Sequence, residues 1–187
     1  MINPFNVTNF NYSEAELQEF LIACIAVAGK TAKTIFPKAH QLVWESEYTA
    51  ETPFKTLINM GENLGSELRR VGMGKYNILE DALYNIPRDT SLNLKTCTPE
   101  QLEQFKGIGM KTSRFFIVHS RPTTDMAILD RHILRFLKEK GYPKIPDNTP
   151  TQKDYVRIEK YFLDEAKKIG KPVADLDLEI WKSAATK

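Results

Sequence analysis

Cysteine is nearly missing from this chain: there are two in 187 residues, Cys24 and Cys97, and neither belongs to a CxxC pair. A four-thiolate zinc or iron–sulfur site cannot be assembled from them, and a reducing, cytosolic-type interior is the simplest context. Long apolar runs are missing too. The longest, Phe20 to Gly29 (FLIACIAVAG), has ten residues, about half of the roughly 20 that a membrane-spanning helix requires, and reads as a buried helix. The opening MINPFNVTNFNYS has neither a basic start nor a long apolar run, which argues against a secretory signal. Period-2 alternation and NG or DG hairpin turns are absent, so strands are not expected, and no internal repeat or low-complexity tail is visible. What is there, 42% hydrophobic and 27% charged residues, suits one globular unit or two small lobes rather than a disordered chain. At this length about two thirds of the extended chain's surface can be buried without a disulfide or metal staple.

The net charge of +2 is unevenly spread. Residues 1–105 carry 9 basic against 13 acidic side chains, residues 106–144 carry 9 against 3, and residues 145–187 carry 8 against 8. The middle stretch is a candidate footprint for a polyanion. The same counts also fit charges pointing apart on ordinary solvated helices.

Helix punctuation is dense, and an all-α chain is expected. Ser13 with Glu16 forms a capping box before the apolar run and predicts a helix from about Glu14 to Ala28, ended by Gly29. A second helix covers Thr31 to Trp44 across Pro37, and Thr52-Pro53 starts a third. Gly61, Gly65, Gly72 and Gly74 interrupt the stretch after it, and Lys75 to Asn85 resumes a helical pattern. Thr98-Pro99-Glu100-Gln101 combines a threonine cap, proline at the first helical position and a glutamine that closes the box. Further helices are expected over Met110–His119, Ile128–Lys140, Thr151–Ile169 and Pro172 to roughly Ala185, nine or ten in all.

The segment Thr98 to Phe136 (TPEQLEQFKGIGMKTSRFFIVHSRPTTDMAILDRHILRF) is the most informative. Gly107 and Gly109, separated by one apolar residue, allow a turn tight enough to expose successive backbone N–H groups beside the N-terminus of the next helix. Such a concavity favours a phosphate. Ile108 would pin the hairpin to the core, while Lys106, Lys111 and Arg114 add positive charge. Read alone, GIG equally suits a short αα-hairpin that uses glycine for packing.

Nineteen residues after Lys111, Asp130 opens the next helix in AILDRHILR. The arrangement resembles the helix-hairpin-helix GPD superfamily of DNA base-excision glycosylases: FKGIGMK is similar to its hairpin and ILDRHILR to its VDxHxxR box. CIAVAGKTA and RRVGMGKYN look like its first core helix and its DNA-wedge loop. The resemblance implies a two-lobed all-α fold with the active site in the cleft between lobes. One lobe would be residues 1–62 plus 143–187, and the other the helix-hairpin-helix lobe, 63–142. It further implies that Lys111 is the nucleophile of a bifunctional enzyme, since an amine can attack C1′, expel the base and remain as a Schiff base that undergoes β-elimination. Attack needs a neutral amine, so burial, the helix N-terminus and nearby cations should depress its pKa. Asp130 would stabilise positive charge on the sugar. His132 would support local structure, and Arg131 would contact a phosphate or face water.

A glycosylase must also extrude and read its target base. By the same resemblance the wedge comes from Arg69 to Lys75 (RRVGMGK), with Arg69, Arg70, Met73 and Lys75 against DNA and Met73 entering the gap. Lys106, Gly107, Ile108, Gly109, Arg114, Arg131 and Arg135 complete the expected DNA contacts, and Gly29, Lys30 and Phe115 are expected near the base. The C-terminal PVADLDLEIWKSAATK looks like the end of the small 8-oxoguanine glycosylase/lyases and makes Trp181 a stacking platform and Lys187 a base-recognition group. The resemblance therefore implies a monomer that removes 8-oxoguanine from double-stranded DNA and cleaves the abasic strand, in the cytoplasm or nucleoid (the nucleus in a eukaryote). It calls for no membrane and no cofactor; an iron–sulfur cluster is not expected, though the hairpin has room for an alkali ion. Two alternatives stay open: an oxidised-pyrimidine glycosylase/lyase of the endonuclease III type, and a non-catalytic helix-hairpin-helix DNA-binding module.

Overall fold

A computed structural model of the chain describes residues 1–122 and 125–185. Among these residues there are ten α-helices and no strand. They are α1 (Glu14–Ala26), α2 (Ala32–Trp44), α3 (Pro53–Met60), α4 (Leu64–Arg70), α5 (Tyr76–Asn85), α6 (Pro99–Glu103), α7 (Met110–Ser120), α8 (Arg131–Glu139), α9 (Gln152–Ile169) and α10 (Val173–Ala185). No helix among the described residues is long and apolar enough to cross a membrane.

The apolar run behaves as its composition dictates. Every residue from Leu17 to Ala26 of α1 is buried, as befits a helix hydrophobic all round, and α2, α3, α5 and α7 pack about it. Its two buried polar side chains are satisfied: Gln18 Oε1 accepts from Phe54 N at 2.9 Å, and Glu19 Oε2 accepts from Trp44 Nε1 at 2.8 Å. The capping box at Ser13 and Glu16 is formed.

Two elements differ from expectation. Gly65 does not interrupt a helix but lies within α4, where a Cβ would sit 2.8 Å from both carboxylate oxygens of Glu80; its smallness serves the approach of α4 to α5. Helix α8 begins at Arg131, not Ile128. Asp130 Oδ1 accepts from His132 N at 2.8 Å and Ile133 N at 3.0 Å, which fixes the start. The preceding Ala127-Ile128-Leu129 are buried without helical structure. Their backbone is satisfied sideways: Ala127 N donates to Glu159 Oε1 (2.9 Å) and Leu129 N to the Tyr155 hydroxyl (3.0 Å).

Buried apolar side chains form two cores. The first unites α1 to α6, Ile108 of the hairpin and Phe116 and Ile117 of α7, with Leu178 of α10. The second unites Val118, Ala127–Leu129, α8, α9 and the start of α10. Core membership changes within α7, between Ile117 and Val118. Phe115 packs against both cores.

Candidate active site

Helix α6, the GIG turn and α7 form the expected hairpin. The Thr98 cap is formed, with Thr98 N donating to Gln101 Oε1 at 2.9 Å. The two glycines do different work. Gly107 has φ +90°, and a Cβ there would lie 2.5 Å from Ile78 Cγ2, so α5 closes on the hairpin only because that atom is missing. Gly109, the N-cap of α7 at φ −106°, would meet nothing within 4 Å. It leaves open space beside the first N–H groups of α7, which have no intrahelical partner. Ile108 is buried in the first core, as the pin reading required, so it supports the hairpin rather than touching DNA.

Lys111 lies in the first turn of α7 and Asp130 at the N-cap of α8; both are half-buried. The buried Asp177 carboxyl lies on α10, which packs on both α7 and α8. Burial pushes the Asp177 pKa up; His119 pulls it down, Asp130 pushes it up and Lys111 pulls it down. His119, fully buried on α7, is hydrogen-bonded through Nε2 to Asp177 Oδ2 at 3.2 Å and through Nδ1 to Thr8 Oγ1 at 2.9 Å. Lys111, Phe115 and His119 recur every four residues and share one face of α7. The Phe115 ring meets that of His119 edge-on, with centroids 4.6 Å apart.

Several expected DNA contacts are overturned by burial. Arg114 is 8% exposed and is bound within the protein: Nε to Glu159 Oε1 at 2.8 Å, Nη1 to Glu103 Oε1 at 3.0 Å, and its guanidinium over the Tyr155 ring. The reason is its position on the inner face of α7, where it ties α6 and α9 together. Met73 is fully buried in the first core and cannot enter a base gap. The loop around it is instead clamped to the turn after α1. Lys30 Nζ donates to Met73 O, Lys38 Nζ to Gly72 O at 2.7 Å, and Lys75 Nζ to Ala28 O at 2.6 Å. Burial, then repulsion from Lys75 and Lys38, lowers the Lys30 pKa. The structure thus joins two loops that the sequence suggested separately, with Gly29 at φ +72° on one and Lys75, left-handed at φ 51°, on the other.

The remaining cations lie at the surface. Lys106 is exposed, Arg69 covers the Tyr76 ring, Arg70 pairs with Glu67, Arg131 Nε donates to His132 Nε2 at 3.2 Å, and Arg135 pairs with Glu139 at 3.7 Å. Trp181 is half-buried, one turn beyond Asp177 on α10, with its ring 5.8 Å from that of exposed Phe5. Lys187 lies outside the described residues. No cluster of three or more His, Cys, Asp or Glu side chains suited to a metal occurs among the described residues, so an alkali ion at the hairpin would depend on main-chain carbonyl oxygens and water.

A family model described as 8-oxoguanine DNA glycosylase matches residues 1–171. The chain belongs to that family. Among its relatives are the 8-oxoguanine DNA glycosylase/AP lyases of Picrophilus torridus and Methanocaldococcus jannaschii. The first is 31% identical over 58% of this chain and 50% of its own length, the second 31% over 64% and 58%. The chain therefore spans between half and three fifths of the length of these two relatives. The crystal structure of the Methanocaldococcus jannaschii 8-oxoguanine DNA glycosylase superposes with a TM-score of 0.72 at 23% identity, covering 97% of this chain and 84% of that one. The Thermotoga maritima 8-oxoguanine DNA glycosylase gives 0.71 at 23%, covering 98% and 86%. The all-α helix-hairpin-helix glycosylase fold expected from the sequence is thereby shown.

Four residues near the candidate site escaped sequence reasoning. Asp177 and His119 sit within the motifs already read, but their pairing spans 58 residues. Thr8 and Phe5 come from an N-terminal segment without helical pattern, which no periodicity could place.

Proposed function

We propose that this chain removes 8-oxoguanine from double-stranded DNA and then cuts the abasic strand by β-elimination through Lys111. The observation that carries the reading is the placement of half-buried Lys111 in the first turn of α7 and half-buried Asp130 at the N-cap of α8, two helices that both pack on α10, together with a glycine hairpin that leaves the N-terminus of α7 open. The relatives' names support the substrate, and one solved relative is the Methanocaldococcus jannaschii glycosylase/lyase in complex with a 15mer DNA containing 8-oxoguanine.

In this mechanism the Lys111 amine attacks C1′ and the glycosidic bond breaks, so the base departs with the bonding electron pair and takes a proton. The amine loses its proton and the sugar opens to a Schiff base. Loss of a C2′ proton then expels the 3′ phosphate with the C3′–O electrons. Two backbone N–H groups fix the Asp130 carboxylate through Oδ1, leaving Oδ2 to face cationic charge developing on the sugar. Gly107, Gly109, Lys106 and the surface arginines hold the backbone, and Phe115 and Trp181 flank the extruded base. The enzyme acts as a monomer, needs no cofactor beyond its own side chains, and works wherever the cell keeps its DNA.

Borohydride trapping on 8-oxoguanine, thymine glycol and abasic duplexes tests this. A covalent adduct with the 8-oxoguanine duplex, lost in Lys111→Gln and strongly reduced in Asp130→Asn, is the expected result. Trapping on thymine glycol alone would make the substrate an oxidised pyrimidine, and unchanged binding with no adduct on any duplex would leave only a DNA-binding module.

A further inference from the structure

The segment before α1 is irregular but firmly held. Ile2 and Val7 are buried in the first core, and the Tyr12 hydroxyl donates to Val7 O at 2.8 Å. Between the two buried anchors, Asn3-Pro4-Phe5-Asn6 makes a tight turn: Asn6 N donates to Asn3 O at 3.1 Å and Phe5 N to Asn3 Oδ1 at 2.9 Å. Proline in the second position presets its φ for such a turn, and the asparagine side chain closes it from the first.

This turn holds Phe5 away from the core. Its ring is 43% exposed, which forgoes much of the stabilisation that burying a phenylalanine brings. What the ring meets is Trp181 of α10, with centroids 5.8 Å apart and planes inclined at 49°. Trp181 is half-buried and, among the described residues, is part of neither core. Core packing therefore accounts for the place of neither ring. At this separation the two rings are in contact and no base fits between them, so a base stacked on the indole must use its other face.

The turn is also tied to the helix of the candidate nucleophile. Thr8, three residues after Phe5, hydrogen-bonds His119 Nδ1 at 2.9 Å, and Asn9 N donates to His119 O at 2.9 Å. His119 lies on α7, which carries Lys111 in its first turn. Through Phe5, the indole of α10 is thus referred to the same frame as the Lys111 amine.

We propose that Phe5 is a positioning residue for base recognition: presented by its pinned turn, it backs one face of the Trp181 indole and leaves the opposite face to the extruded base. This rests on the stacking reading of Trp181. A tryptophan already held in place loses less rotamer freedom when a base stacks on it, so more of the stacking energy goes into holding the base. In this role Phe5 touches neither sugar nor phosphate, and an abasic site offers the indole nothing to stack on. The effect of Phe5 therefore belongs to base release and not to strand cleavage.

The test compares single-turnover rates on two duplexes that differ only in carrying 8-oxoguanine or a plain abasic site, read as the ratio of base release to abasic cleavage. Thermal midpoints are measured alongside. In Phe5→Ala the ratio should fall about three- to tenfold, the worth of one aromatic contact, and Phe5→Tyr should restore it. Combining Phe5→Ala with Trp181→Ala should give the ratio of Trp181→Ala alone, because residues that act through one contact are not additive. An unchanged ratio in Phe5→Ala overturns the proposal, whether both rates hold or both fall together with the thermal midpoint, as they would if Phe5 only anchored the segment. Full additivity in the double variant overturns it as well. Should Phe5→Ala not fold, Phe5→Leu is read instead: it keeps the apolar bulk without the flat ring, and the ratio should still fall. If Trp181→Ala itself leaves the ratio at the wild-type value, the stacking reading of Trp181 has failed. That differs from failure of the Phe5 role alone, in which Trp181→Ala lowers the ratio and Phe5→Ala does not.

Discussion

Single residues separate folding from chemistry most sharply at Arg114 and Asp130. Arg114 is wedged between half-buried Glu103 and buried Glu159, so Arg114→Ala strands the buried Glu159 carboxylate and should cost about 3 kcal/mol of stability. Denaturant unfolding would measure this, and the salt slope of duplex binding by the remaining folded protein should not change. A surface phosphate contact would behave the other way round: Lys106→Ala should weaken every duplex and flatten that slope, with stability intact. Asp130 both caps α8 and stands at the candidate site. Asparagine caps as well as aspartate, whereas Asp130→Ala should lose about 1 kcal/mol. Asp130→Asn should thus match the wild type in thermal midpoint yet be impaired in base release; equal activity would leave Asp130 as a cap only.

Elements were legible in the sequence where a local signal sets them. The boxes at Ser13 and Thr98, the Thr52-Pro53 start and the GIG turn need only residues three or four apart. The start of α8 lies later than the pattern suggests because Ala127-Ile128-Leu129 look helical by composition, and the groups that bond their backbone instead, Glu159 and Tyr155, arrive from α9 some thirty residues later. Met73 was misread for a related reason: an apolar residue between two glycines suits an exposed wedge and a core plug equally, and only the clamp by Lys30 and Lys38 decides. At the hairpin, Gly107→Ala should cost about 1–3 kcal/mol, since it forces both a left-handed φ and a collision with Ile78. Gly109→Ala should leave stability nearly unchanged but weaken duplex binding, because its side chain would fill the open face. At the first cap, Ser13 holds the Glu16 pKa below its usual 4.5, through its backbone first and then its hydroxyl. A depressed carboxylate contributes stability above its unfolded pKa and loses it as pH falls through the folded one. Thermal midpoints of the wild type should therefore decline on acidification below about pH 4.5, and more shallowly in Ser13→Ala.

At the scale of the whole molecule, the family and the all-α architecture could be read from two short motifs, whereas the division into cores could not. Nothing local marks residue 117 as the last member of one core and residue 118 as the first of the next; that boundary exists only in three dimensions. Charge along the chain was a partial guide. Of the basic stretch 106–144, Arg114 is consumed by a buried network, Arg121 by the carbonyls of Lys95 and Cys97, and Lys138 by Asp147, so the footprint offered to a polyanion is smaller than the count suggested. Because one helix serves both cores and carries Lys111 in its first turn, loosening either half would shift the helix that holds the amine. Under the proposed chemistry, a partly unravelled copy would be a harmless one, unable to nick a strand while it waits to be refolded or degraded.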